Sequence, residues 1–268
     1  MSNFRYGAHV NANGIRQHYL RYGKEWQAQP ALLLIPGITS PAITWGFVAE
    51  RLAEHFDTYV LDVRGRGLSA SGAELSYDVD TCADDIVELA KALGLQDCVV
   101  LGHSMGARFI TRALARGLTG VSKAVLVDPP VSGPDRRAYP SKLPWYVDSI
   151  RLSNQGMNAD DMLAFCPTWT QEQRQLRAEW LHTCYEPAIV KAFHDFHDDD
   201  FQRDLAPISV PIVLMVAGKG EVILPEDEQE IASLVPTLLI QHVPNAGHMI
   251  PWDDFEGFFG ALSAADVL

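Results

Sequence analysis

The sequence predicts an α/β fold, a mostly parallel sheet with helices on both faces and a helical lid inserted late in its 268 residues. Three observations lead there. Short apolar runs alternate with amphipathic stretches of helical length, the rhythm of strands joined by crossover helices. The runs are Val-, Leu- and Ile-rich throughout, as strands covered on both faces are. Between Pro129 and about Ala206 the rhythm stops, leaving helical patterns and aromatics (Tyr139, Trp145, Tyr146, Trp169, Trp180 and Tyr185) with no strand signal. An insertion of that length between two sheet strands reads as a lid. The expected organisation is thus a core of residues 1–128 and 207–268 with a lid of residues 129–206.

Taken in order, residues 7–22 with a turn at Asn11-Ala-Asn-Gly14 predict an antiparallel hairpin that feeds the sheet. Buried strands are expected at residues 31–35, 58–61, 98–102, 122–127, 211–217 and 238–243. Helices are expected at 44–55, at 81–93 with Asp80 as N-cap, at 105–116 and at 252–262. Within the insertion, helical patterns run over 158–165 and 170–185. The length suits one large domain, and 47% hydrophobic with 21% charged residues is ordinary globular composition.

A formal charge of −13 without clustered Lys or Arg argues against nucleic-acid and membrane-surface partners. The four cysteines, Cys82, Cys98, Cys166 and Cys184, have neither CxxC nor metal-ligand spacing and read as reduced structural thiols. The first residues lack a basic-then-apolar leader pattern, and no apolar run reaches the ~20 residues a membrane span needs. A cytoplasmic protein is expected.

Gly102-His103-Ser104-Met105-Gly106 follows an apolar strand and opens a helix, the setting of a nucleophile elbow. The turn must be tight, and bulky neighbours would collide with flanking strands, hence the glycines. Ser104 would otherwise simply N-cap the helix. Against that stands His248, in Asn245-Ala-Gly-His248 after the last strand, where a general base belongs. His103 beside the nucleophile is expected to prop the elbow, and Arg108 one turn further on to be structural.

Attack on a carbonyl creates an oxyanion that backbone N–H groups must meet. The Met105 N–H at the helix start and the Ile38 N–H in Pro36-Gly37-Ile38-Thr39 are the candidates. Two carboxylates compete to orient the imidazole. Asp128 closes a strand and is stiffened by Pro129 and Pro130; Glu221 lies in the loop after the next strand. Both satisfy the order serine, acid, histidine, and their chemistry alone leaves the choice even. Asp62-Val-Arg-Gly-Arg-Gly-Leu-Ser69 lacks the spacing of either phosphate-binding glycine motif and reads as a structural turn.

With elbow, oxyanion loop and late histidine in place, the chain resembles the α/β-hydrolase superfamily throughout. More narrowly it resembles the N-formylmaleamate deformylase family, amidase-type enzymes of aerobic nicotinate breakdown. The runs that carry this are Pro36-Gly-Ile-Thr-Ser-Pro-Ala-Ile-Thr-Trp45, Asp128-Pro-Pro-Val-Ser-Gly-Pro134, Ala138-Tyr-Pro-Ser-Lys-Leu-Pro-Trp145, Glu179-Trp-Leu-His-Thr-Cys-Tyr-Glu186 and Gly247-His-Met-Ile-Pro-Trp252. The match is weaker around residues 219–240, which include Glu221.

The resemblance implies Ser104 as nucleophile, His248 as base and Asp128 as acid, with Glu221 as the alternative acid. It implies a small anionic amide as substrate and neither metal nor organic cofactor. A substrate carboxylate calls for a cation at the pocket; Arg136, Arg137 and Lys142 at the lid entrance are the candidates, with Trp145 and Tyr146 as walls. The same triad also serves carboxylesterases, lactonases and carbon–carbon bond hydrolases, and a hydrolase scaffold can serve as a ligand-binding receptor. Dehalogenase and epoxide-hydrolase chemistry is disfavoured by serine at the elbow.

Overall fold

The protein is described from a computed structural model over residues 2–24 and 28–268. Strands β1 (Phe4–Ala12) and β2 (Ile15–Tyr22) form the expected hairpin. Its two-residue turn places Asn13 and Gly14 at φ 49° and 73°, the left-handed pair that matches hairpin twist. Then follow β3 (Ala31–Ile35), a 3₁₀ turn (Ala42–Trp45), α1 (Gly46–Leu52), β4 (Asp57–Asp62), α2 (Val79–Ala92), β5 (Cys98–His103), α3 (Met105–Ala115) and β6 (Val121–Val127). Residues 129–206 hold α4 (Leu143–Ser153), α5 (Gln171–Trp180), α6 (Glu186–Asp198) and α7 (Phe201–Leu205). The chain closes with β7 (Ile212–Ala217), α8 (Pro225–Leu234), β8 (Leu239–Val243), α9 (Ile250–Asp253) and α10 (Phe255–Ala264).

The eight strands make one sheet in the order β1-β2-β4-β3-β5-β6-β7-β8, antiparallel through the pairs β1/β2 and β2/β4 and parallel from β4 onward. Leu32, Leu33 and Leu34 of β3 are fully buried, which explains the unbroken apolar run. Each contributes roughly 1.5–3 kcal/mol by leaving water. The order changes direction around β3 and β5, so the C-terminal ends of these neighbours open a crevice between their outgoing loops, the usual position for a site in such sheets.

Three local expectations need correction. The N-cap of α2 is Asp78, whose Oδ1 accepts from the Thr81 N–H at 2.8 Å. Asp80, expected in that role, lies in the first turn and pairs with Arg112 instead. The helix expected at 44–55 begins as a 3₁₀ turn, and the final helix is split at Asp254, whose side chain caps Gly257 N–H. Helix α8 gave no amphipathic signal because its Pro-Glu-Asp-Glu-Gln-Glu start is almost wholly polar.

Arg108 of α3 fastens both ends of the inserted segment. Its buried guanidinium donates to the carbonyls of Pro130 and Ser132 at 2.9 Å and of Asp195 and Asp199 at 3.2 and 2.7 Å. The Tyr185 N–H donates to Gly65 O at 2.8 Å at the opposite side. Among the described residues no helix is long and apolar enough to cross a membrane. All four cysteines are unpaired and buried, and burial pushes the Cys82 and Cys184 thiols up to about 12.

Candidate active site

Ser104 sits at the turn between β5 and α3 with φ 54° and ψ −118°, a conformation costly for any residue with a Cβ. The turn is held by Ser104 N–H donating to Val127 O at 2.8 Å and Ala107 N–H to Ser104 O at 3.0 Å. The flanking glycines are steric necessities. A Cβ on Gly102 would stand 2.6 Å from the backbone of Gly106 and Ala107, and one on Gly106 would stand 2.1 Å from Ile35 O. The helix therefore packs backbone to backbone on β3 and β5.

His248 lies in the loop after β8, with Nε2 3.0 Å from Ser104 Oγ and Nδ1 2.7 Å from Asp128 Oδ2. With its proton on Nδ1, the ring donates to the carboxylate and leaves Nε2 to accept from the serine hydroxyl. Asp128 follows β6 at φ 46° and is fully buried; its Oδ1 accepts from Ala217 N–H at 3.2 Å. Glu221 is exposed on a left-handed residue with φ 52°, and Arg137 donates to its carbonyl. Gly220, before it, comes close to Asp128: an added Cβ would be 3.2 Å from its Oδ2.

His103 is buried behind this array and donates from Nε2 to the His248 carbonyl at 2.9 Å. Burial, reinforced by neighbouring His248, pushes its pKa down to about 3, so it stays neutral. It also packs under the loop after β3, where a Cβ on Gly37 would meet its Nδ1 at 2.8 Å. Gly37 and Ile38 thus pass beside Ser104, while Met105 opens α3, whose first N–H groups lack helical partners. Arg66, from the glycine-rich turn after β4, braces both sides, donating to Ile38 O at 3.1 Å and to Met105 Sδ at 3.3 Å. That segment forms a turn, and through Arg66 it buttresses the site.

Gly37, Ile38, His103, Ser104 and His248 line one cavity of ≈ 380 Å³ between the sheet and the helices of residues 129–206. Trp145 and Tyr146 are in its wall, together with Tyr139, Phe165 and Trp169. The Tyr139 hydroxyl is 3.2 Å from His248 Nε2 and accepts from Tyr146 at 3.4 Å; burial holds its phenol well above the ordinary value. Trp169 stacks on Trp252 with ring centres 5.0 Å apart.

The structure brings none of Arg136, Arg137 and Lys142 to the cavity wall. Arg136 forms a two-pronged pair with Glu230 and Arg137 pairs with Asp227, both on α8, while Lys142 is exposed before α4. The arginine that does line the cavity is Arg177 of α5, which was not a candidate. It sits in Gln-Glu-Gln-Arg-Gln-Leu-Arg-Ala-Glu-Trp, where it looks like one more solvated charge; the following Ala178 and Leu181 were the one hint of a buried face. Among the described residues no three His, Cys, Asp or Glu side chains are grouped to hold a metal.

Residues 32–261 match the model of the alpha/beta hydrolase family. Over 262 residues the chain is 64% identical to an N-formylmaleamate deformylase from Pseudomonas putida, covering 98% of this chain and 97% of the relative. A solved structure, a serine-to-alanine variant of N-formylmaleamic acid deformylase from Pseudomonas putida S16, superposes with a TM-score of 0.92 at 55% identity, over 96% of this chain and all of the other. The structure of E-2-(acetamidomethylene)succinate hydrolase, at 21% identity and a TM-score of 0.77 over 97% and 98% of the two chains, shares the fold.

Proposed function

The chain belongs to the α/β-hydrolase family, and from that premise we propose that it cleaves the formyl C–N bond of N-formylmaleamate to give maleamate and formate. The observation that carries the chemistry is the unbroken chain of hydrogen bonds from Asp128 through His248 to Ser104 at the floor of a small cavity. The choice of substrate is supported by a likeness to the deformylase that runs the whole length of the chain, cavity roof included.

Ser104 Oγ attacks the formyl carbon while His248 Nε2 takes its proton, and Asp128 stabilises the imidazolium that forms. The oxyanion is met by the Ile38 and Met105 N–H groups, held by the elbow and by Arg66. His248 then protonates the departing nitrogen. That nitrogen is part of an amide, so its developing charge spreads onto the neighbouring carbonyl and it leaves more readily than an amine. Water activated by His248 releases formate from the formyl-serine. His103, neutral beside it, adds no second positive charge when His248 is protonated.

Residues 129–206 act as a lid on a core of residues 1–128 and 207–268. A cytoplasmic setting fits the four unpaired cysteines. The experiment is formate detection with purified protein and a panel of N-acyl amides and aryl esters. Formate from N-formylmaleamate is the expected result. Efficient aryl-ester cleavage without it would make the protein an esterase, and tight binding of small amides without turnover would make it a receptor.

A further inference from the structure

We propose that Arg177 is the carboxylate-binding residue of this cavity, holding the anionic end of the substrate while the formyl end meets Ser104. The inference rests on the function proposed above and names the group that selects its substrate class.

Arg177 is 3% exposed, yet among the described residues no carboxylate pairs with it. Nη1 donates to Thr39 O at 3.1 Å, Nη2 to Thr39 Oγ1 at 2.9 Å, and Nε has no partner. Other buried arginines are compensated differently. Arg64 meets Asp85, Arg112 meets three aspartates, and Arg108 is enclosed by four carbonyls. A buried cation with one carbonyl, one hydroxyl and a spare N–H is expensive unless an anion completes it. Arg177 lines the cavity, so that anion can come from a ligand.

The surroundings suit a carboxylate. The guanidinium carbon lies 5.6 Å from the ring centres of both Trp145 and Trp169, within cation–π range of each. A drier site strengthens the charge–charge attraction, and a planar fork matches a carboxylate's two oxygens. The Thr39 hydroxyl, while accepting from Arg177, keeps a proton to donate to the same ligand. Thr39, which holds Arg177, directly follows Ile38, and all three line the same cavity as Ser104. The cis double bond of a maleamyl chain folds its carboxylate back toward the amide, as a single small cavity requires. In a chain of net charge −13, a local cation also offsets the repulsion an anionic substrate would meet.

The test uses the whole protein, an aryl formate ester as a neutral reporter of the nucleophile, and two inhibitors that differ in one group, maleamate and its uncharged diamide. Maleamate is expected to inhibit the wild type on the order of 10²-fold more tightly than the diamide. Arg177→Met should erase most of that ratio, and Arg177→Lys should retain part of it. Equal inhibition of the wild type by the two compounds overturns the proposal, and so does a ratio that survives in Arg177→Met. If the methionine variant does not fold, the wild-type and lysine ratios decide. Formate release from N-formylmaleamate is read in parallel. Release without a charge preference leaves the function standing and the subsite wrong; a preference that depends on Arg177 without release leaves the subsite standing and the function wrong.

Discussion

Replacing His103 with glutamine should change how stability depends on pH. Gln keeps a donor for the His248 carbonyl but cannot take a proton. In the folded protein the His103 imidazole has a pKa of about 3, against 6.5 for the free side chain, because burial disfavours its cation and His248 adds to the effect. A base whose folded pKa is depressed is protonated in the unfolded chain first. Its contribution is therefore fully present above pH 6.5, erodes as pH falls below that, and is gone below about pH 3. Between pH 8 and pH 5.5 the unfolded imidazole becomes roughly ten-to-one protonated while the folded one stays neutral, a loss of about 1.4 kcal/mol from this residue alone. Urea unfolding of the wild type and His103→Gln at several pH values in this window gives the difference directly, since the other eight histidines cancel. The wild type should lose about 1.4 kcal/mol more than the variant on acidification. Parallel curves for the two proteins would mean that His103 titrates normally, and the neutral brace behind His248 would have to be abandoned.

Asp128→Asn should lower kcat on the order of 10³- to 10⁴-fold with an unchanged circular dichroism spectrum, whereas Glu221→Gln should stay close to wild type. Steady-state kinetics on both variants checks the assignment, and the reverse pattern would move the acid to the loop after β7. Gly106→Ala should destabilise by more than the 1–3 kcal/mol usual for overpacking, since its methyl would stand 2.1 Å from Ile35 O with no side chain there to yield. Thermal unfolding reads that loss; a melting temperature unchanged from wild type would show that α3 is free to shift.

The sheet was legible because a parallel strand buried on both faces leaves an uninterrupted apolar run, and β3, β5 and β7 all do so. Element ends were less so. Asp78 and Asp80 both precede the same apolar face, and only the hydrogen bond to Thr81 separates cap from first turn. Ser104 and His248 could be read from local context, since elbow and post-strand histidine each sit in a short motif. The carboxylate that meets the imidazole could not, because chain order is the same for Asp128 and Glu221, and the difference lies in which strand end faces the ring. Arg177 was invisible for a related reason. Nothing in a polar helix announces that one of its charges points into a cavity, whereas Arg136 and Arg137 drew notice by sequence position and turn out to be occupied by α8.

The position of Asp128 bears on how this protein can change over generations. The proposed nucleophile and acid, Ser104 and Asp128, leave the sheet from adjacent strands, β5 and β6, and the register that pairs His103 with Val127 sets their spacing. On that assignment the turn after β7 is relieved of supplying a carboxylate. Its remaining duty is to stay thin at Gly218, where a Cβ would strike Pro244 backbone at 2.6 Å, and at Gly220 beside the acid. Val222 still lines the cavity and Ile223 is buried, but exposed positions of α8 such as Glu226 and Gln229 are outside the cavity wall, and mutations accumulated there would be a record of ancestry more than of substrate.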